Sequence, residues 1–308
     1  MRKRGSGFRG RFVRSDFFFK LSAGTLRGGM NLVQRLGRDR ALRTVTRLFR
    51  MVAPLMPETR MARASIVAAF PEKSEAEREA ILRGAWDNFA MVVVEFLFLA
   101  ELAGEFDPAR PNEGKVTVAG LDHFVALRDD GKPAVLIAAH LANWEILGVV
   151  AHKFGLKTVL PFRAPGNVHL ADDVLAQREA LMGTLVESGR GASFEIAAAL
   201  DRGEHLGMLV DQRLTRGLDV PFFGRPALTN PLPAKFARAY DCPVHGARAI
   251  RLPGGRLHLE LTPPIELPRD GEGLIDVEAA TVEINRIVEG WVREHPEQWF
   301  WLHDRWRH

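Results

Sequence analysis

The run Pro133-Ala-Val-Leu-Ile-Ala-Ala139 carries no polar side chain and stops on His140. A strand that meets water on one face alternates apolar and polar residues. A strand buried on both faces does not, and a continuous apolar run is the pattern of a central strand in a parallel sheet. Parallel neighbours cannot be joined by a tight turn; each needs a crossover, usually a helix. The rest of the chain supplies those pieces. Lys115–Val118 is a predicted strand, Leu121–Asp129 a helix, and a second helix should follow His140. Lys157–Pro161 and His205–Val210 are further strands with helices between them. Val244–Ile250 and Arg256–Leu261 alternate and are joined by Pro-Gly-Gly, which suggests a hairpin. Val277–Glu294 is the last long helix. The fold class expected is α/β, with a central, mostly parallel sheet flanked by helices.

Ahead of this core the chain is helical and basic. Residues 1–60 hold fifteen Lys and Arg against Asp16, Asp39 and Glu58, although the whole chain is only +4. The remainder is therefore acidic, and the front end seeks a polyanion: nucleic acid, an anionic membrane face or an acidic protein. Within the first 20 residues, basic side chains interleave with Phe8, Phe12, Phe17, Phe18 and Phe19. That mixture suits a lipid interface, suits RNA, and is equally the composition of a disordered basic tail. Residues 39–53 should form a helix, with Leu42, Val45, Phe49 and Val52 on one side and Arg40, Arg43, Arg47 and Arg50 on the other. Its apolar stripe belongs either on a membrane or on the core. Further helices are expected over 74–103, opened by a capping box from Ser74 to Glu77. Phe89–Leu99 is apolar nearly all round, so Glu95 within it is either a partnered core carboxylate or a site residue. A loop from Gly104 to Gly114 leads into the sheet. The domain organisation expected is a basic amphipathic membrane-associating segment over 1–60 and one domain over 61–308, with a helical lead-in over 61–110 and the α/β core over 115–308.

No stretch is long and apolar enough to span a bilayer. The N-terminus lacks the apolar core of a secretory signal, and the C-terminus lacks a lipidation or anchor signal. Any membrane contact is expected to be peripheral. One cysteine, Cys242, excludes an internal disulfide and leaves too few thiolates for a structural zinc site.

The chemistry points to the end of the apolar strand. In open α/β sheets, reactive groups gather at the carboxyl ends of strands, and His140 sits at such an end with Glu145 five residues on. Inside one helix, residues five apart point about 140° from each other and cannot meet. They can cooperate if His140 lies in the turn and Glu145 in the first turns of the helix. A neutral imidazole is a general base near neutral pH, and a carboxylate on its other nitrogen fixes its tautomer. No nucleophilic Ser or Cys is near in sequence, which favours direct transfer. Taken alone, a histidine followed by such an acid is also an ordinary core or surface pair. The spacing differs from the His-Glu-x-x-His metal motif.

Several blocks in order narrow this further. His-x-x-x-x-Glu after a buried strand resembles the first motif of the glycerolipid acyltransferase superfamily, and the chain from about residue 60 onward resembles its lipid A (lauroyl/myristoyl-type) acyltransferase branch. Phe70-Pro-Glu-Lys-Ser, Trp86-Asp-Asn-Phe and Glu95 are similar to its helical N-terminal part. Ala139-His-Leu-Ala-Asn-Trp-Glu is similar to its catalytic block, and Phe162-Arg-Ala-Pro-Gly-Asn to the block that follows. Leu209-Val-Asp-Gln-Arg, Val220-Pro-Phe-Phe-Gly and Pro296-Glu-Gln-Trp-Phe-Trp-Leu-His-Asp-Arg-Trp match later blocks. Arg213 stands where many members carry an acid.

The resemblance implies a glycerol-3-phosphate acyltransferase-like αβα fold and a role for His140 as base with Glu145 as its orienting acid. It implies that Arg163 binds a lipid phosphate or the thioester oxyanion, and that Asp211 holds Arg163 or a substrate hydroxyl. Asn143, Asn167 and Gln212 are weaker substrate-binding candidates. The Val220–Gly224 run would line an acyl groove or pack in the core. The donor would be acyl carrier protein and the acceptor a hydroxyl of a phosphorylated lipid A precursor at the cytoplasmic face of the inner membrane. No cofactor, metal or nucleic acid is expected. The rival readings are acylation of another membrane lipid, such as a lysophospholipid, glycolipid or ornithine lipid, and a nonenzymatic membrane- or RNA-binding protein.

Overall fold

The computed structural model describes residues 24–163, 168–189 and 191–306. A helix over 24–35, α1, leads into α2 (Arg38–Val52), α3 (Pro57–Ala69), α4 (Glu75–Leu97) and the short α5 (Leu99–Gly104). The α/β core follows as β1 (Val116–Ala119), α6 (Leu121–Asp129), β2 (Val135–Ala138), α7 (Glu145–Lys153), β3 (Thr158–Phe162), α8 (Val168–Met182), β4 (Thr184–Glu187), α9 (Ala192–Asp201) and β5 (His205–Leu209). A two-stranded ribbon, β6 (Leu218–Phe222) and β7 (Arg225–Thr229), precedes α10 (Leu232–Tyr240), β8 (Val244–Leu252), β9 (Arg256–Pro264) and α11 (Val277–Glu294).

Seven strands form the central sheet in the order β1-β9-β8-β2-β5-β3-β4. All neighbouring pairs are parallel except β8 with β9, the expected hairpin. That hairpin turns on Gly254 (φ 80°) and Gly255 (φ 73°), backbone angles that side chains resist. The fully apolar β2 lies between β8 and β5 and is buried at all four residues. Its alternate side chains serve two cores. Val135 and Ile137 join the α3, α4, α10 and α11 layer; Leu136 packs with α6 and α7 on the opposite face. The carboxyl ends of β8, β2, β5, β3 and β4 therefore share one edge.

Local signals placed several elements. Ser74 accepts from Glu77 N–H at 3.3 Å, and Glu77 accepts from Ser74 N–H at 2.7 Å, completing the capping box of α4. Asp276 caps α11 by accepting from Glu278 and Ala279 N–H, each at 3.0 Å. The apolar stripe of α2 lies on the core: Ala41 and Val45 pack with Ala90 and Val94 of α4, with Leu42 and Phe49 alongside. Val52, expected in the same stripe, is exposed instead. The Phe-rich residues 1–20 lie outside the described residues. Among the described residues no helix is long and apolar enough to cross a membrane.

The Val220–Gly224 run enters the core rather than the groove. It forms the ribbon turn, and Phe222 and Phe223 bury themselves among Trp299, Trp301 and Trp306. The closing Trp-rich segment thus supplies the wall behind the sheet edge.

Candidate active site

β2 delivers His140 to the sheet edge, in the turn ahead of α7, and Glu145 is the first residue of that helix. This is the backbone arrangement expected from the spacing, yet the two side chains are not a pair. The carboxylate on His140 Nδ1 belongs to Asp211, just beyond β5, at 2.7 Å. Asp211 Oδ2 also accepts from the His140 backbone N–H at 2.8 Å and from the Trp299 indole N–H at 2.7 Å. β5 is the parallel neighbour of β2, and that adjacency brings the two strand ends together. The carboxylate on the ring, expected at Glu145, is that of Asp211 in this structure. The Asp211 side chain is fully buried against His140 and Trp299, not exposed to a substrate hydroxyl or to Arg163 at the rim as expected.

Burial alone would raise the Asp211 carboxyl, but the charge and hydrogen bonds of His140, helped by His303, outweigh it. The carboxyl is held well below the usual carboxylate range and stays ionised. An ionised Asp211 accepts from Nδ1–H, and in the uncharged form of an imidazole so held the bare nitrogen is Nε2. Gln212 points its amide nitrogen at that atom from 3.2 Å, the position an incoming hydroxyl would take. Around the ring stand Trp144 (centroids 4.9 Å), Phe300 (6.1 Å) and His303 (6.5 Å). Burial, the largest influence, holds His303 below the ordinary imidazole range, against the opposing pull of the Asp211 charge.

Glu145 pairs with Arg178 of α8. The Nε–H donates to Oε2 at 2.9 Å, and the second fork reaches Oε1. Asn143 is fully buried. Its amide donates to Glu95 at 2.9 Å, and its carbonyl accepts from Glu145 N–H at 3.1 Å. It is absent from the cavity wall, so it supports the turn rather than touching a substrate as expected. Arg163 directly follows β3 and is exposed at the cavity rim. Asn167 lies outside the described residues.

His140, Trp144, Glu145, Arg163, Arg178 and Gln212 all open onto one cavity of about 680 Å³, within the range of small-ligand sites. It runs from the sheet edge between α7 and the sheet. Interfaces of this kind are normally filled by interlocking side chains. Here the sheet side offers Ala138, Gly207 and Ala247, and the helix side offers Gly148 and Ala151. Small residues on both walls keep the space open. Leu160 nestles between the two glycines; a Cβ on Gly207 would come to 2.5 Å from it, and one on Gly148 to 3.0 Å. Deeper lining includes Leu136, Phe124, Leu259 and Leu261. The lining is mostly apolar and suits a hydrocarbon chain, with Thr158 and Glu260 as polar exceptions away from the His140 mouth. Among the described residues no three His, Cys, Asp or Glu side chains converge as a metal ion would require.

Sequence reasoning missed Arg178, Trp299 and His303. Arg178 lies in the middle of a helix, and nothing local marks it as the counter-ion of Glu145. Trp299 and His303 belong to a block whose order was noted but whose contact with β2 is nonlocal. The C-terminal segment pairs with the turn: Phe300 N–H donates to His140 C=O and Ala142 N–H to Gln298 C=O, each at 3.0 Å.

An imidazole–carboxylate pair at the carboxyl edge of a parallel sheet, opening on a largely apolar cavity, is the kind of site an α/β enzyme carries. Within that class, the chain belongs to the bacterial lipid A biosynthesis acyltransferase family, whose model matches residues 23–308. It is 26% identical over 271 residues to the lipid A biosynthesis palmitoleoyltransferase of Escherichia coli (strain K12), covering 85% of this chain and 83% of that one. The lipid A biosynthesis acyltransferase of Shigella flexneri matches to the same extent, 26% over 271 residues. The protein is an acyltransferase, and its family acts in lipid A biosynthesis.

Proposed function

We propose that this acyltransferase moves a fatty acyl chain from acyl carrier protein to a hydroxyl of a lipid A precursor at the cytoplasmic face of the inner membrane, with His140 as general base and Asp211 as its orienting acid. The observation that carries this reading is the 2.7 Å bond between His140 Nδ1 and Asp211 at the mouth of the cavity. The acyl chain lies between α7 and the sheet, with its thioester carbonyl at the rim. The acceptor hydroxyl displaces the Gln212 amide and donates its proton to Nε2. Its oxygen attacks the thioester carbon, the tetrahedral intermediate collapses, and the carbon–sulfur bond breaks. The imidazolium returns its proton to the departing sulfur, so thiol and ester are the products. Asp211 stays ionised throughout and stabilises the imidazolium. Arg163 and Arg213, in the segments that follow the neighbouring strands β3 and β5, both line the cavity without an acidic partner among the described residues. They suit a phosphate of either substrate.

Membrane contact is assigned to the outer side of α2 and the turn after it. Leu48, Met51, Val52, Leu55 and Met56 are exposed there, Leu55 at 85% and Met51 at 68%. Arg40, Arg43 and Arg47 are exposed on the same helix. Apolar tips flanked by arginines fit an anionic bilayer surface. The underside of that helix reaches the site through rings: Phe49 to Phe89 at 5.9 Å, Phe89 to Phe300 at 5.2 Å, and Phe300 to His140.

The deciding experiment incubates the protein with acyl carrier thioesters and a panel of acceptor lipids and identifies products by mass spectrometry. Transfer to a lipid A precursor that vanishes in His140→Ala supports the proposal; transfer only to another lipid replaces the acceptor, and wild-type rates in His140→Ala remove the base. A Met51→Glu/Leu55→Glu variant should lose binding to phosphatidylglycerol vesicles; unchanged flotation moves the docking surface elsewhere.

A further inference from the structure

The turn that carries His140 is tied down by a buried polar network in which the proposed chemistry uses no group. Glu95 of α4 is 4% exposed and meets Arg251 of β8 in a two-pronged ion pair, Nη1 to Oε1 at 2.5 Å and Nη2 to Oε2 at 2.8 Å. Arg251 Nε–H donates to Asn88 Oδ1 at 3.0 Å. Asn88 and Glu95, two helical turns apart on one face of α4, then reach the turn itself. The Asn88 amide donates to Ala142 C=O at 3.2 Å and to Gln298 C=O at 2.9 Å. Glu95 accepts from Asn143, which in turn caps Glu145 N–H. Gln298 closes the ring, accepting from Arg251 N–H at 2.7 Å and donating to Arg251 C=O at 3.0 Å.

The segment so held is not one that would hold itself. Ala142 has φ 46°, a left-handed conformation that a side chain disfavours and that surrounding contacts must enforce. A buried ion pair is a poor device for stability, since well-packed apolar residues in its place do as well or better. A fully satisfied network does fix geometry. Each strand of this one ends on residues 142–145 or on the C-terminal segment paired with 140–142.

We propose that Glu95 and Arg251 are positioning residues that set the location of the His140–Glu145 turn relative to Asp211. The inference rests on the reading of His140 as the base. It also explains why the apolar stretch Phe89–Leu99 carries a carboxylate: the charge serves the turn, not the helix.

The test is the double variant Glu95→Leu/Arg251→Met, which removes both charges together and keeps the site filled, so that no lone charge is left buried. Folding, followed by urea midpoint, should hold, while kcat for acyl transfer falls by about a hundredfold, the consequence of displacing a reacting group by roughly 1 Å. KM should not change, because no removed group lines the cavity. A folded double variant with wild-type kcat overturns the proposal. If the double variant does not fold, Arg251→Lys decides: it keeps the charge and loses the two-pronged geometry, and lowered kcat at constant KM supports the proposal, whereas unchanged kcat overturns it. Should the wild-type protein transfer no acyl chain at all, the functional reading fails by itself. Positioning is then read from the downfield NMR resonance of the His140 Nδ1 proton, which should disappear in the double variant; its persistence unchanged overturns the network's role.

Discussion

Replacing Asp211 by Asn keeps volume and shape but changes what the buried group can accept. Two donors converge on Oδ2, the His140 backbone N–H at 2.8 Å and the Trp299 indole N–H at 2.7 Å, and neither can become an acceptor. The single carbonyl oxygen of Asn must take that place, so its NH2 faces His140 Nδ1. Two donors cannot share that contact, and the ring moves its proton to Nε2. The nitrogen that should accept the hydroxyl proton is then already occupied. Loss of this orientation elsewhere costs about 10⁴-fold in kcat, or roughly 5.4 kcal/mol at 1.36 kcal/mol per factor of ten. Glu145→Gln provides the control. It weakens the Arg178 pair and shifts the cavity wall, but leaves the tautomer alone, so its loss should stay within about 10²-fold. Initial rates of acyl transfer, followed by mass spectrometry at saturating donor, measure both. If the magnitudes come out reversed, with Asp211→Asn close to wild type and Glu145→Gln down four orders, the pairing seen here is not the working one.

Because the folded Asp211 carboxyl lies below its unfolded value, its stabilisation is complete above that unfolded value, about 3.9, and is lost as pH falls below it. Urea midpoints between pH 6 and pH 3 should therefore drop less in Asp211→Asn than in wild type, and parallel curves would contradict the assignment. Burial pushes the Cys242 thiol up to about 11, so iodoacetamide at pH 8 should label it only after denaturation; rapid labelling of the native protein contradicts its burial. Ala247→Leu adds bulk to the sheet wall of the cavity and should shift preference toward shorter acyl thioesters in a competition assay. An unchanged product distribution would show that the chain lies elsewhere.

The sheet was largely legible because its signals are local. A strand without polar residues, a Pro-Gly-Gly turn, a Ser-x-x-Glu box and the apolar rhythm of Val277–Glu294 each act within a few residues. β4 and the β6–β7 ribbon escaped for the converse reason. Thr184–Glu187 is an edge strand only partly buried, with too little alternation to declare itself. Val220-Pro-Phe-Phe-Gly resembles a groove wall until the tryptophans of the last ten residues are known to lie against it. For α2 the pattern was real but its partner was ambiguous: an amphipathic stripe fits any apolar surface, and α4 is the one that covers it.

The same division between local and nonlocal governs the acids of the site. The spacing allows Glu145 to meet His140, and the family resemblance makes it the orienting acid; both rest on five residues of neighbouring chain. Asp211 is 71 residues away, and reaching it required knowing that β5, not β3, lies beside β2. Strand order in a parallel sheet is decided by how crossover helices pack on the two faces, which no short window of sequence contains. A rule was nevertheless available. His140 and Asp211 are each the first reactive residue beyond a buried strand, and groups in that position converge whenever their strands are neighbours. Glu145, by contrast, begins a helix, where a carboxylate is favoured by the N-terminal end of the helix dipole whatever the chemistry nearby. Its position therefore has a structural explanation independent of His140, and its partner is the cation that a buried acid requires, Arg178. The imidazole takes the carboxylate that has no such helix to serve and whose remaining partners, the His140 backbone N–H and the Trp299 indole, orient it toward that ring.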